Sequence, residues 1–373
     1  MSKKKFHLGF LGGGINSTIG NIHYLASKLD GRWSLTSGFF SRDKKINHKS
    51  ALSYDVNLKR TYSNFKDFIK NEKYKIDAVA LLVPTPERYD YLQKLSKYKI
   101  PIISEKPLVE NYSQCLKLEK LFKAKNFLRV TYNYTGYPLI KELREIIKKG
   151  YLGKIKQVHF EMPQDSFTNL TSKKIFPKKW RLKDNRIPNI SHDLGSHLVS
   201  LVYFLLGEYP SSVICDYFKS GKFKNLIDNG YFWLNFKSGI KGTFWISKSA
   251  PGVRNGLKIR VFGEKKGSQW LQNRPEELLI YNENGSLERI DNLTLKLTAH
   301  LKKYNRYKVG HPAGFLEAFA NLYSEYADQL EMFFQNKKKS KNEILFDLKN
   351  STNISKFFNA ASKADKNKKW TKI

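Results

Sequence analysis

The chain has 373 residues, beyond the usual single-domain range, and 40% of them are hydrophobic, with 25 Phe, 21 Tyr and 6 Trp. This excludes a disordered chain and points to two domains, each able to bury its own core. Lys plus Arg number 67 against 33 Asp plus Glu, a formal charge of +34, but the lysines are scattered along the whole sequence instead of clustering with aromatics on one element, so no nucleic-acid partner is read from the charge. The opening MSKKKFHLGF runs straight into a strand-like segment, with no signal peptide recognisable behind it. The longest strongly apolar run, His197 to Gly207, is shorter than the roughly 20 residues a bilayer requires. A cytoplasmic protein with no membrane partner is therefore expected. Cys115 and Cys215 are far apart and lack metal-ligand spacing, so they are read as core thiols, with neither a disulfide framework nor a metal site.

In chain order, Phe6 to Leu11 is a short apolar run ending in Gly12, Gly13 and Gly14, and helix-compatible sequence follows from Ser17 through Leu29. Trp33 to Phe40 reads as a second strand, Phe65 to Asn71 as a helix, and Ile76 to Val83 as a buried third strand. The helix Tyr89 to Tyr98 then leads to the strand Pro101 to Ser104, and the helix Tyr112 to Lys125 to the strand Leu128 to Tyr132. Such alternation predicts parallel strands joined by right-handed crossovers, with helices on both faces of an open sheet. Ligands on such sheets bind at the carboxyl ends of the strands. The glycine turn, Pro84, Thr85, Glu105, Lys106 and Asn133 all fall there.

Beyond Pro138 the pattern changes. A helix from Leu139 to Lys149 leads through Gly150 and Gly153 into strand-like Ile155 to Glu161, and a polar loop from Pro163 to Asn189 precedes a helix from about His192 to Leu206. Strand-like segments follow at Ser212 to Phe218, Tyr231 to Phe236, Lys241 to Ser247, Leu257 to Phe262 and Gly267 to Leu271, which predicts an antiparallel sheet. Helices from Pro312 to Phe334 and Ser351 to Lys363 close the sequence, with an exposed lysine-rich loop, Asn336 to Asn342, between them.

LGGGINSTIG supplies the glycines that let a backbone approach a pyrophosphate at a helix N-terminus. Gly12 and Gly14 hold the first two fingerprint positions, followed by Ile15 and Asn16, and Ser17 stands where a third small residue is usual. At the end of the second strand, Ser41 and Arg42 suit a 2′-phosphate and Asp43 suits a ribose hydroxyl, so the cofactor reads as NAD or NADP. Lys106, after the fourth strand, is either a surface charge or an ammonium that stabilises negative charge on a reacting oxygen. In SHDLGSHL, Asp193 and His197 lie four apart and share a helix face. Alcohol oxidation releases a proton near neutral pH, which suits His197 as base. Asp193 orients that imidazole, accepts a substrate hydroxyl, or simply favours the helix N-terminus; His192 points off that face and reads as a core or capping residue.

Together the turn GGGINS, the tripeptide EKP at 105–107, GYLGKI at 150–155, DLGSH at 193–197 and GHPAGFLEAFANLY at 310–323 resemble the glucose-fructose oxidoreductase, inositol dehydrogenase and MocA (Gfo/Idh/MocA) family. The resemblance implies an α/β architecture: an N-terminal Rossmann domain with a doubly wound parallel sheet over residues 1–132, then an α+β domain with a large, mostly antiparallel sheet over 133–373, for substrate binding and oligomer contacts. It implies an NAD(P)-dependent dehydrogenase acting on a secondary hydroxyl of a sugar, sugar derivative or cyclitol, with Lys106, Asp193 and His197 as catalytic residues and a homodimer or homotetramer as the assembly. Gly12, Gly14, Ile15, Asn16, Ser41, Arg42, Pro84, Thr85, Glu105, Lys106 and Asn133 are the expected dinucleotide contacts. Tyr134, Trp180, Arg181 and His311 join the catalytic three as substrate neighbours. VPTPERY, where many members carry asparagine and histidine, and PNISH, where a glycine-rich turn is common, are departures. An NAD-dependent glycosidase with transient oxidation and a non-catalytic dinucleotide sensor are the alternative functions.

Overall fold

The computed structural model describes residues 4–122, 126–168, 181–294, 297–337 and 345–373. They divide into two compact units, Met1–Gly136 with Gly314–Ser351, and Tyr137–Ala313 with Thr352–Ile373.

The first unit is built on five parallel strands, β1 (Phe6–Gly12), β2 (Trp33–Phe39), β3 (Ala78–Leu82), β4 (Ile102–Glu105) and β5 (Leu128–Thr131), in the order β2-β1-β3-β4-β5. β3, AVALL, is buried at every residue, as a central parallel strand covered on both faces must be. The crossovers carry α1 (Gly20–Leu29), α2 (Lys44–Ser53), α3 (Phe65–Glu72), α4 (Thr85–Leu95) and α5 (Tyr112–Leu121). Asp43, Asn64 and Asn111 cap α2, α3 and α5 by accepting from Ile46 N, Asp67 N and Gln114 N, which satisfies one orphan donor in each first turn. The sequence pattern does not reveal α2, because KKINHKSALS has too few apolar residues to mark a buried stripe.

A helix from late in the sequence, α8 (Phe315–Phe334), completes this unit. Its Phe319, Tyr323, Tyr326 and Leu330 share one core with Phe6, Phe10 and Trp33. Trp33 Nε1 donates to Tyr323 O at 2.8 Å, and Arg32 pairs with Asp328 at 2.5 Å.

α1 starts at Gly20, three residues later than the glycine spacing predicts. Residues 15–19 are spent on a turn in which Ser17 N donates to Gly14 O at 2.7 Å. Gly12 and Gly13 have φ of +81° and +73°, a region that costs an L-residue about 1–2 kcal/mol. Gly20 is fixed by space: a Cβ there would lie 1.9 Å from Gly13 O. The small residue opening the helix is therefore Gly20, not Ser17.

The second unit holds a nine-stranded sheet, β6 (Ile155–Pro163), β7 (Ser212–Phe218), β8 (Asn229–Asn235), β9 (Lys241–Ser247), β10 (Lys258–Gly263), β11 (Lys266–Leu271), β12 (Arg274–Asn282), β13 (Leu287–Ile290) and β14 (Thr371–Lys372), in the order β13-β12-β11-β10-β6-β9-β8-β7-β14. The sheet is antiparallel except at its centre, where β6 and β9 run parallel. This is the mostly antiparallel sheet expected of the second domain, and the long connection between β6 and β9 permits a parallel crossover that a hairpin cannot make. β12 and β13 go unread in the sequence because Pro275 and several charges interrupt their alternation.

On one face Val158, Phe160, Phe232, Phe244 and Ile246 are buried, and Phe232 and Phe244 meet Phe357 of α9 (Leu348–Asn367). α6 (Pro138–Lys148) and α7 (Ser196–Leu206) pack against each other in the same unit. The alternate residues point the other way, and Tyr231 and Trp233 of β8 are exposed, as the two-residue period requires. Cys115 and Cys215 are both buried thiols. Among the described residues no helix is long and apolar enough to cross a membrane. The lysine-rich stretch 338–342 and the loop residues 169–180 lie outside the described residues.

Two glycines separate close packing from backbone strain. Gly20→Ala should lower the unfolding free energy by about 3 kcal/mol through overpacking. Gly31→Ala, at φ +66° with open space around it, should cost about 1 kcal/mol. Urea unfolding of both variants checks the order, and equal losses would show that the Gly13–Gly20 contact does not constrain the turn.

Candidate active site

The carboxyl ends of the parallel strands carry a turn shaped for a phosphate-bearing ligand. After β1, Gly12 and Gly13 hold left-handed backbone, and a Cβ on Gly14 would crowd Ser50 Oγ at 3.0 Å and Phe40 O at 3.1 Å. Ile15 N donates to Ser50 Oγ at 3.0 Å, while the Ile15 and Asn16 side chains are exposed. After β2, Asn47 Oδ1 accepts from Phe40 N (2.8 Å) and Ser41 N (3.2 Å). Asp43 is committed to capping α2, and the exposed Arg42 pairs with Glu87 at 2.7 Å. After β3 come Pro84 and the buried Thr85 at the start of α4. After β5, Asn133 is buried and its Nδ2 makes no hydrogen bond among the described residues. A bare glycine turn and an unpartnered amide donor at the same edge of a parallel sheet fit a dinucleotide.

Glu105, the last residue of β4, sits inside a buried polar network. His23 Nε2 lies 2.9 Å from Glu105 Oε1, His23 Nδ1 lies 2.8 Å from Tyr323 OH, and Lys106 N donates to Glu105 Oε2 at 3.1 Å. Arg88 of α4 donates to the carbonyls of Val83 and Glu105, each at 2.9 Å, and to that of Pro107. Burial pulls the Arg88 guanidinium down to about 10, with Glu105 opposing the shift. The carboxylate of Glu105, a residue expected at the cofactor, is held by neighbouring protein groups. The same contacts fix the backbone on either side of Lys106, whose peptide bond to Pro107 is cis. Tyr134 is buried in the same unit, edge-on to Phe315 at 6.5 Å between ring centres.

In the second unit, Asp193 lies in a single widened turn, Ser191–Gly195, that runs directly into α7. This π-type turn replaces the regular helical start that the four-residue spacing predicts; such turns recur where a helix presents functional side chains. The turn is anchored on several sides. Ser191 Oγ lies 2.5 Å from Tyr217 OH, Ser196 Oγ donates to His192 O at 2.7 Å, and Gly195 leaves room for the ring of Phe358, whose Cζ a Cβ would meet at 2.7 Å. Asp193 Oδ2 receives Lys248 Nζ and, at 3.4 Å, a guanidinium nitrogen of Arg181. His197, in the first turn of α7, is buried.

Of the remaining expected substrate neighbours, Arg181 is half-exposed beside Asp193, His311 is exposed in the 297–314 loop, and Trp180 lies outside the described residues. Lys248 was not singled out in the sequence. It follows β9 in a chain where lysines occur throughout, and its one distinguishing mark, burial, is invisible without the fold. Among the described residues no three His, Cys, Asp or Glu are grouped to hold a metal ion.

A two-unit α/β protein with a dinucleotide-type turn on its parallel sheet belongs among the dinucleotide-binding folds. Residues 6–134 match the oxidoreductase family NAD-binding Rossmann fold, and residues 140–268 match the GFO/IDH/MocA C-terminal domain. The chain belongs to the Gfo/Idh/MocA oxidoreductase family, and its first unit carries that family's NAD-binding Rossmann fold. It is 24% identical over 356 residues to the oxidoreductase YfiI of Bacillus subtilis, covering 92% of this chain and 89% of that protein. An inositol dehydrogenase homologue from Azotobacter vinelandii, solved with NAD+, superposes with a TM-score of 0.91 at 23% identity, covering 100% of this chain and 99% of that one. Its complex with NADH and myo-inositol gives 0.89 at 24% identity with the same coverage.

Replacing the Arg88 guanidinium tests the network around Glu105. Arg88→Leu leaves three carbonyls without their donor and should destabilise the protein by about 3 kcal/mol. A loss below about 1 kcal/mol in urea unfolding would show that these carbonyls find other partners.

Proposed function

We propose that this protein is an NAD(P)-dependent dehydrogenase that moves a hydride between the nicotinamide and a secondary hydroxyl of a sugar, sugar derivative or cyclitol. The observation that carries the reading is the pairing on one helical segment of an Asp193 carboxylate held by two cations with a buried His197. A carboxylate accepts hydrogen bonds from polyol hydroxyls, and a histidine exchanges a proton near neutral pH. The myo-inositol bound by the Azotobacter homologue supports a polyol as substrate class.

Gly12, Gly14, Ile15, Asn16, Ser41, Arg42, Pro84, Thr85, Glu105, Lys106 and Asn133 would hold the dinucleotide, which when bound accepts the hydride with its electron pair. The roles of the side chains follow from their chemistry. In the oxidation direction His197 takes the hydroxyl proton as the carbon–oxygen double bond forms, and Lys106 stabilises charge on that oxygen. Asp193 and Arg181 bind neighbouring hydroxyls; Tyr134, Trp180 and His311 complete the proposed substrate set. On this reading Lys106→Met and His197→Gln each reduce kcat about 100-fold or more while NADH binding, followed by fluorescence, persists. Wild-type rates in both variants with a polyol that the native enzyme oxidises would overturn these assignments.

The outward face of the nine-stranded sheet supports a homo-oligomer, dimer or tetramer. Phe218 and Tyr231 stack at 5.6 Å, Tyr231 and Trp245 at 6.1 Å, and Trp233 is 63% exposed. Tyr231 and Trp233 are exposed, with Phe218 and Trp245 half-buried beside them; exposed aromatics on a sheet face suit an interaction surface, and a second copy presenting the same face is its self-complementary partner. Light scattering after size exclusion should report a dimer or larger for the native protein and a smaller species for Trp233→Lys. An unchanged mass in the variant would place the contact elsewhere.

A further inference from the structure

We infer that Lys248 is a positioning residue for the substrate site, holding Asp193 by its Oδ2 so that the carboxylate presents a fixed acceptor to a substrate hydroxyl. This rests on the polyol reading above.

Lys248 differs from the chain's many surface lysines in how completely its place is determined. Its side chain is 8% exposed, whereas a lysine in ordinary surroundings keeps its ammonium in water. The residue directly follows β9, and its backbone is held on both sides: Lys248 N donates to Asp228 O at 2.8 Å and Phe167 N donates to Lys248 O at 2.7 Å. Asp228 is itself locked, accepting from Ser220 N at 2.9 Å, Gly221 N at 2.7 Å and Asn229 Nδ2 at 2.8 Å. The Lys248 ammonium lies over the Phe167 ring, with Nζ 4.9 Å from the ring centre. From this fixed base the ammonium reaches Asp193 Oδ2.

The pairing is unequal on its two cationic sides. Arg181 touches the same oxygen at 3.4 Å with a side chain 42% exposed, so water screens its hold. Lys248 makes the buried contact, where a charge-assisted bond is stronger and more directional. Asp193 lies in the widened turn and is 26% exposed at its side chain, so it combines a buried anchor with an accessible carboxylate. Held in this way, Asp193 is placed as an acceptor for a substrate hydroxyl.

A double-mutant cycle tests this. Lys248→Met keeps an apolar stem of similar length but removes the charge, and with it the ammonium's contact with the Phe167 ring; Lys248→Gln keeps a neutral donor. With the polyol that the native enzyme oxidises, Lys248→Met should lower kcat/KM about 100-fold, the scale expected when a contact group shifts by about 1 Å. Lys248→Gln should lose less. In an Asp193→Asn background, Lys248→Met should cost less than about threefold further, because the group it acts through is already gone. Calorimetric binding of myo-inositol to the NADH-loaded protein gives a readout apart from turnover and should weaken in parallel. Independent losses in the two backgrounds, or a folded Lys248→Met enzyme within threefold of native, would overturn the positioning role. If neither Lys248 variant folds, the residue acts in folding, and the role is likewise overturned. A native protein that neither binds nor oxidises any polyol would overturn the functional reading itself, and this inference with it.

Discussion

A parallel sheet ends all its strands on one edge, and there the backbone carbonyls lose the ladder partners they had within the sheet. Around β3 and β4 a single guanidinium answers that problem. Arg88 reaches from α4 to the carbonyls of Val83, Glu105 and Pro107, so one rigid side chain joins the end of one strand to both sides of Lys106. Bringing an arginine into a fully buried position is costly, and the downward pull on its proton affinity reflects that burial. Glu105 offsets it electrostatically and is in turn bonded to His23, which meets Tyr323 of α8. A helix contributed from over 200 residues later thereby takes part in holding the strand end that carries Lys106.

The same dependence explains what the sequence exposes and what it hides. The strands of the first unit are legible because AVALL and its neighbours are continuous apolar runs bounded by turn residues, and a run buried on both faces needs no periodic signal. The glycine turn is legible as a turn, but its length is not. Whether a helix opens at Ser17 or Gly20 depends on the approach of Gly13 O to Gly20 Cα, a contact that exists only once the turn has closed. In the second unit, alternation discloses most strands, whereas the parallel pairing of β6 with β9 depends on which strands become neighbours, and no residue encodes that locally.

The candidate site shows the limit in its sharpest form. Asp193 and His197 stand out because their spacing joins two chemistry-bearing residue types in one short segment. Lys248 lies more than 50 residues further on and looks like any other lysine; Arg181 is expected near the substrate, but its contact with Asp193 is not legible in the sequence. Their relation to Asp193 comes from the widened turn, which Gly195 permits by leaving room for Phe358, and from the end of β9. Glu105 illustrates the converse. Its place in EKP suggests a cofactor contact, yet its carboxylate oxygens are engaged by His23 and by Lys106 N.

The division of chemistry in the site follows from where the charges are held. A group that exchanges protons near neutral pH must be able to exist in both forms without a large penalty. Asp193 has one oxygen engaged by both Lys248 and Arg181, and on the proposed reading a carboxylate held in this way accepts hydrogen bonds from hydroxyls. Histidine meets the proton-exchange condition by its intrinsic proton affinity, and His197 is set one helical step beyond, buried in the first turn of α7. The aspartate is thus suited to recognition and the histidine to proton exchange.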